Sequence, residues 1–274
     1  MSADEPGATF RVLTWNLWWR FGPWEERQPA IATVLEEEGA DIVCLQEVWA
    51  TDTGVDQSAV LAARLGLHHA RTPSPFWNGA SFGNAVLSRW PILDTTMIPL
   101  PGADGATSPR QALVVDIDAP FGAFTVICAH IEYRFDRSDQ RKNQLRTISE
   151  HVVARHPEPE TTFPVILAGD LNAVPDSDEI RSLTGRSAPL VPGLVFTDAW
   201  EVAGDESAGN TWSASNPHLQ DSTWPNRRLD YIMVSWPRPK GVAKPVRARL
   251  AGTSPRHGVT PSDHFAVVAD LRIR

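Results

Sequence analysis

The sequence predicts an α/β fold in which β-sheets pack on one another and helices lie outside them. Three observations predict it. Strand-like apolar runs recur along the whole 274-residue chain and outnumber the helical ones. Several of these runs are apolar at nearly every position, the pattern of strands covered on both faces. Few helices fall between the strands, which argues against a doubly wound parallel sheet.

Taken in order, strands are expected over 9–15 (TFRVLTW), 40–46 (ADIVCLQ), 84–89 (NAVLSR) and 111–118 (QALVVDID). Further strands are expected over 123–130 (AFTVICAH), 163–169 (FPVILAG), 228–234 (RLDYIMV) and 264–273 (HFAVVADLRI). The run at 111–118 begins with mixed polarity, so it reads as nearer an edge. Three helices fit the period of 3.6 residues. Residues 28–38 put Ile31, Val34 and Leu35 on one face, with Pro29 suited to a first turn. Residues 56–66 carry Val60, Leu61 and Leu65, and residues 139–155 carry Leu145, Ile148, Val152 and Val153. Pro- and Gly-rich loops are expected at 72–83, 99–110, 185–193 and 204–226, with 185–226 a long surface excursion. One domain over 1–274 is expected, with 1–8 a flexible tail.

Composition narrows the function classes. Hydrophobic residues make up 42% and charged residues 21%, as in ordinary soluble proteins. The net charge of -8 counts against broad binding of duplex DNA, which favours basic surfaces. The lysines are Lys142, Lys240 and Lys244, and they form no cluster near the motifs below. Cys44 and Cys128 lie in apolar runs and read as buried, reduced thiols. No run approaches the roughly 18 apolar residues of a membrane span, and the acidic N-terminus is no signal peptide. A cytoplasmic, monomeric protein is expected.

The informative feature is a recurrence. Apolar strands repeatedly run into a residue that ligates metal or moves a proton: Asn16, Glu47, His130, then Asp170 with Asn172. Asp230 opens a strand, and Asp263 with His264 precedes the last one. Singly, each has a plainer reading, as a turn former, a solvated strand end or a cap. Together they share one placement, and neighbouring strand ends cluster in space. Their chemistry suits hydrolysis of a phosphodiester, which needs charge neutralised and a water activated. Mg²⁺ takes oxygen ligands and keeps waters, so Glu47 and Asp263 suffice as carboxylates. Asp170 is a candidate to deprotonate the water, and Asn16 and Asn172 to hold it. His130 and His264 are candidates for the phosphoryl oxygens, with Asp230 a candidate partner for His264. The 11 tryptophans read either as packing or as a stacking platform, with Trp15, Trp18, Trp19 and Trp24 around Asn16, and Phe76 and Trp77 in a loop. Arg89, Arg110, Arg134 and Arg141 are candidate phosphate contacts. His68 and His69 read as surface residues.

The segments TWN, LQEV, GNAVLSRWPI, His130, GDLN, RLDYI and SDH resemble the endonuclease/exonuclease/phosphatase superfamily, from residue 10 to residue 273. That resemblance implies a four-layer α/β/β/α sandwich of two packed, mainly antiparallel sheets flanked by helices. It implies Mg²⁺ or Mn²⁺ at Glu47, with Asn16 and Asp263 nearby. It also implies that Asp170 and Asn172 position the water, that Asp230 holds His264 on the phosphate, and that His130 acts from the other side. Asn84, Arg110 and Trp19 are expected on the substrate, a phosphate ester of nucleic acid, of a small molecule or of a lipid headgroup. The sequence departs from the deoxyribonuclease pattern at one point. No glutamate lies between Glu47 and Glu132 to pair with His130. His130 with Glu132, followed by Arg141 and Gln144 on a helix, looks more like the sphingomyelinase and tyrosyl-DNA phosphodiesterase type. A non-catalytic binding module is disfavoured, because every position of the metal and water machinery is present.

Overall fold

The computed structural model describes residues 7–73, 75, 79–103, 106–156, 158, 161–224, 226–236 and 241–274. Its first half runs β1 (Thr9–Asn16), α1 (Trp24–Glu38), β2 (Ile42–Val48), α2 (Gln57–Leu65), β3 (His68–Arg71), β4 (Gly83–Ser88), β5 (Ile92–Pro99) and β6 (Gln111–Ala119). There follow β7 (Gly122–His130), α3 (Ser138–Arg155), β8 (Ile166–Asp170), α4 (Asp178–Leu183), β9 (Phe196–Asp198), α5 (Ala199–Ala203), β10 (Asp230–Ser235), β11 (Pro245–Ala251) and β12 (Ala266–Arg272).

Two six-stranded sheets form, ordered β11-β12-β1-β2-β4-β3 and β5-β6-β7-β8-β10-β9. Each is mixed: one central parallel pair, β1 with β2 or β7 with β8, is flanked by antiparallel neighbours. The parallel pairs are joined by the crossover helices α1 and α3, as parallel pairing requires. Three apolar layers hold the stack. Phe10, Val12, Ile42 and Cys44 of one sheet meet Val126, Cys128, Ile166 and Ala168 of the other. The outer face of the first sheet, with Leu13, Val43 and Leu45, packs on Ile31 and Leu35 of α1 and Leu61 of α2. The outer face of the second, with Ile127 and Leu167, packs on Leu145, Ile148 and Val152 of α3. The strand runs are continuous in apolar character because odd and even positions both enter a core.

Several expectations need correction. The strand at 111–118 is no edge: β6 lies between β5 and β7, and β5 forms the edge. The stretch 185–226 is not all surface. It holds β9 and α5, and Asp198, Trp200, Thr211 and Asn216 are buried. Pro29 sits inside α1, whose first turn begins at Trp24 and carries Glu25 and Glu26. The tail expected over 1–8 is tied down at Ala8, which is buried and accepts a bond from the Ile273 N–H at 2.8 Å. Residues 1–6, Phe76, Trp77 and Lys240 lie outside the described residues. His68 and His69 are exposed, on β3.

Candidate active site

Strand register builds the site. On the inter-sheet face of the second sheet, apolar side chains alternate up to the strand ends and then turn polar. His130 on β7 pairs in register with Asp170 on β8, and Asp170 with Asp230 on β10. Three functional side chains therefore stand side by side on one face. Opposite them, Val12, Thr14 and Asn16 occupy alternate positions of β1, and Asn16 lies beside Gln46 of β2. By alternation Glu47 belongs on the outer face. The β2–β4 register shifts between Leu45 and Val48, and Glu47 adopts φ 55°. That left-handed residue, costly for a glutamate, turns its carboxylate toward Asn16.

Asn16, Glu47, His130, Asp170, Asn172 and His264 line one cavity of about 390 Å³, and Arg110 joins them. The Asn16 amide nitrogen donates to Asp170 Oδ2 at 3.0 Å and Glu47 Oε1 at 3.2 Å. Asn172, at φ 47°, donates its backbone N–H to Asp170 Oδ1 (2.9 Å) and its amide to Ile131 O (3.2 Å). His264 Nδ1 donates to Asp230 Oδ2 at 2.8 Å, and its Nε2 lies 4.0 Å from Asp170 Oδ2. His130 Nε2 lies 3.7 Å from Asp170 and 4.0 Å from Glu47. Its Nδ1 is buried with no hydrogen-bond partner, so the missing glutamate has no substitute among the described residues.

The electrostatics separate the two histidines. Burial opposes charge on His264, but Asp230 and Asp263 outweigh it and hold its pKa well above the ordinary value. Burial, Arg110 and His264 keep His130 well below the ordinary value, so it is neutral. Burial pushes Glu47 up to about 8, with Asp263 adding to the shift. Burial and Asp230 raise Asp170 to about 6, against His264 and the bonds from Asn16 and Asn172. Burial also raises Asp263. Crowded, buried carboxylates of this kind are costly without a cation. Among the described residues the buried Glu47 Oε2 has no hydrogen-bond partner, which fits a hard, oxygen-seeking divalent ion. Ligand atoms of Asp170, Asp230 and His264 also lie within 4.8 Å of one another. His264 Nδ1 and Asp230 Oδ2 are committed to each other there, but among the described residues Asp230 Oδ1, like Glu47 Oε2, has no hydrogen-bond partner, so both carboxylate oxygens are open to a cation.

The remaining candidates divide. Asn84 donates to Gln111 O at 2.8 Å and lines an adjoining lobe of about 320 Å³, which Arg110, Phe82 and His130 share. Trp19 lines neither lobe. Its Nε1 bonds Ser81 O at 2.7 Å and its ring packs on Phe21 and Phe82, which do line the cavity. Arg89 pairs with Asp41 at 2.9 Å, and Arg141 with Glu179 at 2.5 Å. Both are structural ion pairs rather than phosphate contacts.

Sequence reasoning missed the residues that hold the site from behind. Arg27 of α1 is fully buried and donates to five carbonyls: Leu17, Pro261, Trp18, Trp19 and Phe21. It fixes the chain after Asn16 against the chain before Asp263. Burial lowers its pKa to about 10, against Asp263 and Glu47. Ser262 Oγ donates to Asn16 O at 2.7 Å, and Trp15 Nε1 to His264 O at 2.9 Å. Thr211 and Asn216, in the supposed excursion, bind the main chain of Asp230, Phe265 and Ser262. Trp15, inside TWN, and Ser262, inside PSDH, stood within motifs, whereas Arg27, Thr211 and Asn216 lay outside every one.

Known proteins resemble this chain in sequence and fold. The sequence model of the Endonuclease/Exonuclease/phosphatase family matches residues 13–264. Tyrosyl-DNA phosphodiesterase 2 of Rattus norvegicus is 26% identical over 276 residues, covering 98% of this chain and 68% of its own. Across the matched relatives the chain spans from 49% to 68% of their length. An endonuclease/exonuclease/phosphatase from Beutenbergia cavernae DSM 12333 superimposes with a TM-score of 0.73 at 28% identity, over 97% of this chain and 72% of that one. A D. rerio TDP2, solved with a single strand DNA product, gives 0.76 at 19% identity, over 97% and 99%.

Proposed function

This chain belongs to the Endonuclease/Exonuclease/phosphatase family, and from that premise we propose that it is a divalent-metal-dependent phosphodiesterase acting on nucleic acid. The observation that carries the reading is the register of His130, Asp170 and Asp230 facing Asn16 and Glu47 across the sheet ends. Glu47, with Asn16 and Asp263, would hold Mg²⁺ or Mn²⁺, which when bound supplies charge neutralisation at the phosphate. Asp170 accepts the proton of the attacking water. Asn172, its amide nitrogen committed to Ile131, offers its oxygen to that water. His264, charged and braced by Asp230, donates to a phosphoryl oxygen. Neutral His130 donates from Nε2 on the other side. Arg110 and Asn84 contact the substrate beyond the scissile phosphate. We read 1–274 as one domain and the protein as a cytoplasmic monomer. The free, buried Cys44 and Cys128 support a reducing compartment. Among the described residues, no helix is long and apolar enough to cross a membrane.

The test is hydrolysis of bis-p-nitrophenyl phosphate with Mg²⁺. Asp170→Asn and His264→Ala are each expected to lower turnover by about a hundredfold or more, with circular dichroism unchanged. Full activity in both variants would refute the assignment. A panel of single-stranded DNA, an inositol phosphate and sphingomyelin separates nucleic acid from small-molecule and lipid substrates.

A further inference from the structure

The mouth of the cavity is ringed by aromatic side chains, and its two lips differ in charge. Among the described residues the exposed aromatic side chains are Phe21, Phe82, Tyr133 and Trp224. The first three line the cavity. Trp224 packs edge-on against Phe135, another lining residue, at 4.8 Å. All four surround one opening.

One lip is Phe21 and Phe82, bridged by Trp19 at 5.4 and 6.2 Å. Among the described residues no arginine lies over Phe21 or Phe82: Arg20, the arginine of that segment, lies over Trp24 at 4.2 Å, and Arg110, inside the cavity, lies 5.8 Å over Tyr133 of the other lip. The other lip interleaves aromatics with cations. Arg134 lies 5.5 Å over Tyr133, and Arg227 lies 4.1 Å over Phe135 and 5.9 Å over Trp224. Neither arginine has a carboxylate within ion-pairing distance among the described residues. Arginines elsewhere mostly do, as with Arg11, Arg64, Arg71 and Arg256. In a chain of net charge -8, cations left without acidic partners on one lip are placed to meet an external anion. Exposed rings between guanidinium groups suit unpaired bases stacking while the backbone meets positive charge. A duplex hides its base faces and offers nothing to such rings.

We propose that the polyanionic arm of a single-stranded nucleic acid leaves the catalytic cluster over the Tyr133, Phe135 and Trp224 lip, with Arg134 and Arg227 on its phosphates. The Phe21 and Phe82 lip takes the uncharged group on the other side of the scissile bond. The proposal rests on the phosphodiesterase reading for the position of the scissile phosphate.

The test is anisotropy of labelled oligothymidylate across a salt series with Mg²⁺, in an Asp170→Asn background that prevents turnover. Arg134→Gln and Arg227→Gln are each expected to weaken binding at low salt about threefold to tenfold. Each should flatten the plot of log affinity against log salt by about 0.7, the loss of one single-strand phosphate contact. Arg227→Lys keeps the charge and should keep the slope, which covers the case in which Arg227→Gln misfolds. Arg247→Gln, at an exposed position on edge strand β11, should match the parent. Parental slopes in both glutamine variants would overturn the proposal. So would a wild type that hydrolyses bis-p-nitrophenyl phosphate while its Asp170→Asn form does not bind the oligonucleotide, which leaves the phosphodiesterase reading standing. A parent that binds with the expected slopes while the wild type hydrolyses no ester upholds the lip and removes that reading.

Discussion

Gly169 shows how a single atom shapes the site. It sits at φ 155°, and a Cβ there would stand 1.9 Å from Ala129 O. Only glycine lets β8 pair closely with β7 just before Asp170. Gly169→Ala is expected to cost about 3 kcal/mol or more, read as a melting temperature lower by roughly 6 °C or more. A variant melting within about 2 °C of the parent would show that the strands separate freely. Arg27 acts through the main chain. Arg27→Met leaves five carbonyls without their donor in a buried place, so a loss of about 3–5 kcal/mol is expected in urea unfolding. Residual folded protein should turn over more slowly, because the Leu17–Phe21 chain no longer holds Asn16 in place. Parental stability would mean that water replaces the guanidinium.

At the scale of elements, the four strands that pattern reading overlooks are β3, β5, β9 and β11, which are the four sheet edges. An edge strand has one unpaired flank and exposed side chains, as in β5 and β11, so the continuous apolar signal never develops. The helices α1, α2 and α3 were legible because each buries an apolar stripe. Helix α2 begins on Asp56, whose side chain accepts from the Ser58 and Ala59 N–H groups and pairs with Arg71 at 3.0 Å. Burial alone would raise this carboxyl, but the bonds from Ser58 and Ala59 and the Arg71 charge hold it below its ordinary value. A depressed folded pKa contributes stability that is present above the unfolded value and lost as pH falls through the folded one. Asp56→Ala is therefore expected to cost about 1 kcal/mol at pH 7. The difference from the parent should shrink below about pH 4, as thermal melts at both pH values would show. A gap of equal size at low pH would refute the charge contribution.

For the whole molecule, two sheets of like topology bring acidic strand ends together, and the resulting crowding is the main unbalanced electrostatic feature. Glu47, Asp170 and Asp263 all have raised pKa values, with burial the largest cause in each. Mg²⁺ or Mn²⁺ is expected to raise the melting temperature, with a gain of about 2.7 kcal/mol at a hundredfold excess over Kd. Chelator should reverse it. Glu47→Gln removes a carboxyl that burial forces to take up a proton, so it should melt above the parent in chelator near neutral pH and respond little to either ion. A parental metal response in Glu47→Gln would move the cation elsewhere, toward Asp170, Asp230 and His264.

The sequence by itself determined the covered strands, the sheet-on-sheet class and the polar residues at the strand ends, because burial and residue period are local signals. Tertiary structure alone decided what those residues do to one another. Among the described residues, the turn that redirects Glu47, the carbonyls gathered by Arg27, the lack of a partner for His130 Nδ1 and the choice of which arginines stay unpaired all join segments far apart in the chain. Their energies depend on distances between those segments, and a linear pattern carries no such distances.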